Sequence, residues 1–251
     1  MSHIHVANLR IPIITADQMK QVDSIAVEKY GIQIIQMMEN AGRNLATTAK
    51  KLLEDSVLKK HLIIAVGNGN NGGGGLVAAR HLHNWGAKIT VLIPTETLSG
   101  IPEMQRKIIE KLPIEIKIGE KALQQLHSSN GQMILDALIG YGLNGKPRGW
   151  INSMIKKINS TEIQVLALDI PSGLDATSGE IYSQCIRASS TMTLALPKSG
   201  LVKADVKNVV GSLYLCDIGI PNVLYKEIGI EVGSIFIYDN IIKLDNIQEI
   251  A

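Results

Sequence analysis

The sequence predicts an α/β fold: a mostly parallel sheet with helices on both sides and a helix pair ahead of the first strand. Two observations carry this. Short runs that are apolar on both faces recur along the chain, and most are separated by stretches long enough for a helix. The first such run is followed by a glycine-rich turn and then a helical pattern, as in sheets that bind ligands beyond their strand ends.

Thr15-Ala-Asp-Gln18 has the form of a capping box, with Met19, Val22 and Ala26 following at helical spacing and Gly31 as the stop. In the second helix Ile34, Met38, Ala41, Leu45, Ala49 and Leu52 share one face. LIIAV (62–66) is the first strand, and GNGNNGGGG (67–75) is a loop that opens onto the helix LVAARHLHNWG. KITVLI (88–93), IEIKI (114–118), MILDALI (133–139), QVLALDI (164–170), TMTLAL (191–196) and SLYLCDI (212–218) are the further strands. Residues 104–112 and 151–158 read as intervening helices. No linker, repeat or low-complexity segment divides the chain, so residues 1–251 are expected to form a single domain.

Composition narrows the function. With 25 basic and 23 acidic side chains the net charge is +2, which disfavours nucleic-acid binding through bulk charge. One Phe, two Trp and six Tyr leave few platforms for stacking bases. No apolar run reaches the ~18 residues of a membrane span, and the first residues lack a secretory pattern. Cys185 and Cys216 are too few for a disulfide framework. A cytoplasmic protein with buried, reduced thiols is expected.

The unusual residues fall just after the strands. The glycine loop's amides and the helix start behind it suit an anion, most naturally phosphate. It is neither a P-loop, lacking Gly-Lys-Ser/Thr, nor a dinucleotide fingerprint, since KITVLI leads into Pro94 and Thr95 rather than an acid. Asp136 lies near the end of MILDALI, before Gly140-Tyr-Gly-Leu-Asn-Gly145; Asp169 ends QVLALDI, before Pro171-Ser-Gly-Leu-Asp175; Lys198 follows TMTLAL. Each alone has a plain explanation: a turn cap for Asp169, a neighbouring cation for Asp136, solvent for Lys198. Together they place two carboxylates, a hydroxyl, a lysine and two glycine loops along one sheet edge. The oxygen donors suit a hard monovalent or divalent cation, and no His or Cys cluster suggests zinc. Met37 and Met38 read as core filler.

GNGNNGGGGLVAARHL, ILDALIGYGLNGKPRG, ALDIPSGLDATSG and TLALPKSGL, preceded by ITADQMKQVDSIAVEKYG and MMENAGRNLA, resemble the NAD(P)H-hydrate epimerase family, also called the YjeF N-terminal domain family. The resemblance covers residues 14–218. It implies a Rossmann-like, three-layer αβα sandwich, usually dimeric, that equilibrates the two epimers of NADH or NADPH hydrated at carbon 6 of the nicotinamide ring. A dehydratase reconverts only one epimer, and on this length it is expected to be a separate polypeptide. Carried over by position, Asn70, Asn71, Gly72, Gly73 and Gly74, then Gly140, Tyr141, Gly142, Leu143, Asn144, Gly145 and Lys146, and Asp169 contact the hydrated nucleotide. Asn71, Asp136 and Ser172 hold a potassium ion. Asp169 is expected to be the acid and base for the hydroxyl, and Lys198 to position or balance its charge. One departure stands out: the family reads Asn-Asn-Gly-Gly-Asp-Gly, and this chain has Gly74 where the Asp belongs. The alternative is therefore a nucleotide-binding or scaffold protein of the same fold with weakened turnover. A conventional dinucleotide-dependent oxidoreductase is disfavoured by the missing fingerprint and ribose-binding acid.

Overall fold

Leu62, Ile64 and Val66 pack on one face of the sheet and Ile63 and Ala65 on the other, in two separate apolar clusters, and all five are fully buried. Such runs arise only where helices cover both faces. In the computed structural model, which describes residues 5–6, 11–126 and 131–245, they do. The described strands are β1 (His5–Val6), β2 (His61–Val66), β3 (Lys88–Ile93), β4 (Glu115–Ile118), β5 (Met133–Ala137), β6 (Val165–Leu168), β7 (Ser190–Leu194), β8 (Ser212–Cys216) and β9 (Ile241–Lys243). The main helices are α1 (Ala16–Glu28), α2 (Ile34–Leu52), α3 (Asn70–Asn84), α4 (Gly100–Ile109), α5 (Glu120–Gln125) and α6 (Gly149–Asn159). One face carries α2, α3 and α4; the other is covered by Ala122 of α5 and by Met154, Ile155 and Ile158 of α6. This is the expected three-layer sandwich.

The sheet runs β1-β9-β8-β7-β6-β5-β2-β3-β4. Every pairing is parallel except β8 with β9. The chain builds outward from β2 through β3 to β4, then returns to β5 on the other side of β2. The crevice between β2 and β5 is therefore the switch point where loops diverge and ligands bind.

Two expectations need correction. The strands predicted to reach Ile139, Ile170, Leu196 and Ile218 end two residues earlier, at Ala137, Leu168, Leu194 and Cys216. The apolar signal runs on because Leu138, Ile170, Leu196 and Ile218 stay buried under the loops after the backbone has turned away. The glycine stretch is also mostly not a loop, because α3 begins at Asn70 and only Gly67–Gly69 turn. Glycine is a poor helix former, but tertiary packing overrides that here. A Cβ on Gly75 would stand 2.5 Å from Ala137 Cβ, so its absence lets α3 lie flush on β5.

Gly67 sits where the two diverging loops touch, and its N–H donates to Ala137 O at 3.1 Å. A Cβ there would lie 1.9 Å from Leu138 O, a backbone atom that has no room to retreat. Gly67→Ala is therefore expected to lower stability by about 1–3 kcal/mol or more, read from the urea midpoint. An unchanged midpoint would mean that this contact opens freely.

Residues 11–15 fasten α1 to the far side of the site. Ile14 N donates to Pro197 O at 3.0 Å, and Ser199 N donates to Ile14 O at 2.9 Å, a parallel bridge across Lys198. The predicted capping box then starts the helix, with Gln18 N donating to Thr15 Oγ1 at 3.1 Å and Thr15 N to Gln18 Oε1 at 2.8 Å. In this way α1 is carried across the strand ends.

Candidate functional site

A cavity of about 480 Å³ opens at the switch point, within the size range of small-molecule sites. Its wall includes the turn after β2 (Asn68 and Gly69), the start of α3 (Asn70 and Asn71), the loop after β5 (Leu138–Gly142), Asp169, Leu194, Met37 and Met38 of α2, and Lys20 and Asp23 of α1.

Asp169 follows β6 in the left-handed backbone region, at φ +67°. Asp tolerates this better than most residues, and such positions gather at functional sites. Its Oδ1 accepts from Lys198 Nζ at 2.6 Å, and its Oδ2 accepts from Tyr141 N at 2.9 Å. Lys198 is fully buried and also donates to Leu194 O at 2.7 Å, so the lysine is a paired core group rather than the solvated side chain that the sequence left possible. Few unpaired cations survive in such a place.

Tyr141 links this pair to a second carboxylate. Its N–H binds Asp169, its hydroxyl donates to Asp23 Oδ2, and its ring lies 5.9 Å from Lys198 Nζ. Burial raises Asp23 above the ordinary carboxylate range, partly offset by the hydrogen bond from Tyr141. Burial and the nearby Asp23 charge raise the Tyr141 phenol as well.

Behind the cavity, Asp136 is fully buried in β5. It accepts from Ser172 N at 2.8 Å, Ser172 Oγ at 2.7 Å and Leu138 N at 3.2 Å. Burial pushes its carboxyl up to about 6, against the pull of these donors, and among the described residues no cation pairs with it. Asn71 Nδ2 donates to Leu168 O at 3.2 Å, and its amide lies against Gly140. A buried carboxylate with no cation beside it among the described residues, with a hydroxyl on it and a side-chain amide at the start of α3 nearby, fits a monovalent cation. Among the described residues no group of three or more His, Cys, Asp or Glu offers a multivalent metal site.

Of the residues expected from the sequence, Asn70, Asn71, Gly140, Tyr141, Gly142 and Asp169 line the cavity. Gly72, Gly73 and Gly74 are buried in the first turns of α3, and Leu143, Asn144, Gly145 and Lys146 lie beyond the wall. The start of α3 leaves the N–H groups of Asn70, Asn71 and Gly72 without acceptors in the helix, which suits an anion. At Gly74 a Cβ would stand 3.0 Å from Leu168 Cδ2 and 3.8 Å from Met38 Sδ. The position faces the packing of α2 on the sheet, beside the cavity-lining Met38.

Sequence reasoning missed Asp23 and Lys20, although α1 carries both next to its buried residues Met19 and Val22. Met37 and Met38 are core residues as expected, and they also form cavity wall. Cys185 and Cys216 are free and buried, and burial raises both thiols, Cys185 to about 12. Neither suits a nucleophile. Among the described residues no helix is long and apolar enough to cross a membrane.

Residues 34–200 match the family described as YjeF-related protein N-terminus. A relative from Dehalogenimonas lykanthroporepellens named "NAD(P)H-hydrate epimerase" is 36% identical over 92% of each chain. One from Moorella thermoacetica named "Bifunctional NAD(P)H-hydrate repair enzyme Nnr" is also 36% identical, over 84% of this chain and 41% of its own length. In fold, the chain resembles the crystal structure of yeast ynu0, YNL200c, with a TM-score of 0.81 at 21% identity, over 93% of this chain and all of that one.

Proposed function

The chain belongs to the family of YjeF-related N-terminal domains, and from that premise we propose that it is an NAD(P)H-hydrate epimerase, an isomerase that interconverts the two epimers of hydrated NADH or NADPH. What carries the reading is the 36% identity to a relative of that name over 92% of both chains. The cavity adds chemistry suited to the task. The turn after β2 and the start of α3 would take the diphosphate, and the apolar wall of Met37, Met38 and Leu194 would receive the nicotinamide ring.

In the reaction the ring nitrogen's lone pair expels the carbon 6 hydroxyl, leaving a planar cation, and water returns to either face. Asp169 holds negative charge beside that cation and takes the proton of the incoming water. In reverse it supplies the proton to the departing hydroxyl. Lys198 fixes the carboxylate and balances its charge. To test the reading, each purified epimer is incubated with the protein and followed by chromatography. Interconversion faster than the uncatalysed rate is expected; its absence would overturn the reading.

Asn71, Asp136 and Ser172 would hold a potassium ion. When bound, it would supply positive charge between the start of α3, β5 and the loop after β6. Potassium chloride is therefore expected to raise the melting temperature more than choline chloride of equal ionic strength, and Asp136→Asn to lose that difference. An equal response to both salts would remove the ion from the site. The partner activity would be a dehydratase acting on one epimer. A homodimer completes the proposal, and the exposed Met104 and Ile108 on α4 offer apolar surface for it; sedimentation velocity gives the mass.

A further inference from the structure

Epimerisation makes a demand that one carboxylate does not meet. The hydroxyl leaves from one face of the ring and water enters from the other, so proton transfer is needed on both sides of the planar cation. Asp169 and Asp23 both line the cavity, held apart by a single tyrosine whose N–H binds one and whose hydroxyl binds the other. Asp23 comes from α1, whereas Asp169 comes from the turn that follows β6, so the two carboxylates reach the cavity from different elements. We propose that Asp23, acting through the Tyr141 hydroxyl, is the acid–base group for one face of the ring and that Asp169 serves the other. This rests on the epimerase reading above.

For the epimer whose hydroxyl faces Asp23, the carbon–oxygen bond breaks with its electron pair going to oxygen. Tyr141 gives its proton to that oxygen and is reprotonated by Asp23, so water leaves and the ring nitrogen carries the positive charge. A second water then attacks carbon 6 on the opposite face, and its proton passes to Asp169. Solvent resets both carboxyl groups, and the reverse reaction exchanges their roles. No oxidant or co-reactant is needed. The charged groups around Asp23 fit this work. Lys198 and Asp169 both lie within electrostatic reach, with opposite effects, and Lys20 lines the cavity one turn earlier on α1. Burial holds Asp23 toward its protonated form, as an acid requires.

The test uses each epimer separately in ¹⁸O-labelled water, reading interconversion by chromatography and label at carbon 6 by mass spectrometry. With wild type, both epimers interconvert and both take up label. With Asp23→Asn, interconversion is expected to fall by about 100-fold or more, while one epimer alone still exchanges its oxygen within tenfold of the wild-type rate. Tyr141→Phe, which keeps the ring and the N–H to Asp169, is expected to give the same one-sided exchange. Near wild-type interconversion in either variant would overturn the proposal. So would parallel loss of exchange in both epimers, the result of merely disturbing the site's shape. A wild-type protein that fails to interconvert the epimers overturns the epimerase reading instead, and is told apart from these outcomes by that first measurement.

Discussion

Lys198→Met is expected to lower folding stability by about 3–5 kcal/mol, because it strips the partner from a carboxylate buried to the same depth. Lys198 and Asp169 are 0% and 2% exposed at the side chain, with 2.6 Å between Nζ and Oδ1. At that burial, water gives little help to the charge left behind. For a chain of this length the loss corresponds to a fall of roughly 6–20 °C in melting temperature. Removing both charges in Lys198→Met/Asp169→Leu is expected to recover part of the loss, since the remaining pair of apolar groups needs no counter-charge. Calorimetry on the two variants decides the matter. A single variant that melts within a degree of wild type would mean that the pair is solvated in solution.

Asp169→Asn is expected to reduce the rate of epimer interconversion by about 10²–10⁴-fold. The amide preserves the shape of the carboxyl group, and its oxygen still accepts from Tyr141 N or Lys198. It neither takes the proton of the incoming water nor offsets the charge of the ring cation, so kcat should fall far more than KM rises. Lys198 loses its counter-charge in this variant, so the assay belongs well below the variant's own melting temperature. Full activity there would take Asp169 out of the mechanism.

Much of the fold was legible because burial on both faces of a strand leaves a mark that does not depend on partners. LIIAV and KITVLI need only be apolar throughout to declare a covered parallel sheet. The α1 capping box is equally local, since Thr15 and Gln18 satisfy each other's backbone. The onset of α3 was hidden for the opposite reason. Its glycines argue against a helix until Ala137 is seen pressed against Gly75. The strands β1 and β9, at one end of the sheet, span two and three residues, too short for any alternation to register.

The site divides in the same way. Asp136, Asp169 and Lys198 stand out because each follows or ends a strand, where an open parallel sheet keeps its chemistry. That Lys198 is buried, and buried against Asp169, depends on two loops meeting and leaves no trace in either one. Asp23 was invisible for a further reason. It lies in the middle of a helix rather than after a strand, and what distinguishes it from any surface acid is the phenol of Tyr141, supplied by a distant segment.

The bridge between Ile14 and Lys198 also governs how the protein comes to be active during folding. The two carboxylates come to share Tyr141 only after the segment leading into α1 has docked beside the segment that follows β7, far away in the chain. Contacts so distant in sequence form slowly. Recovery of turnover after dilution from denaturant should therefore trail the return of helical signal, and a nascent chain should remain inert until the segment bearing Lys198 has left the ribosome.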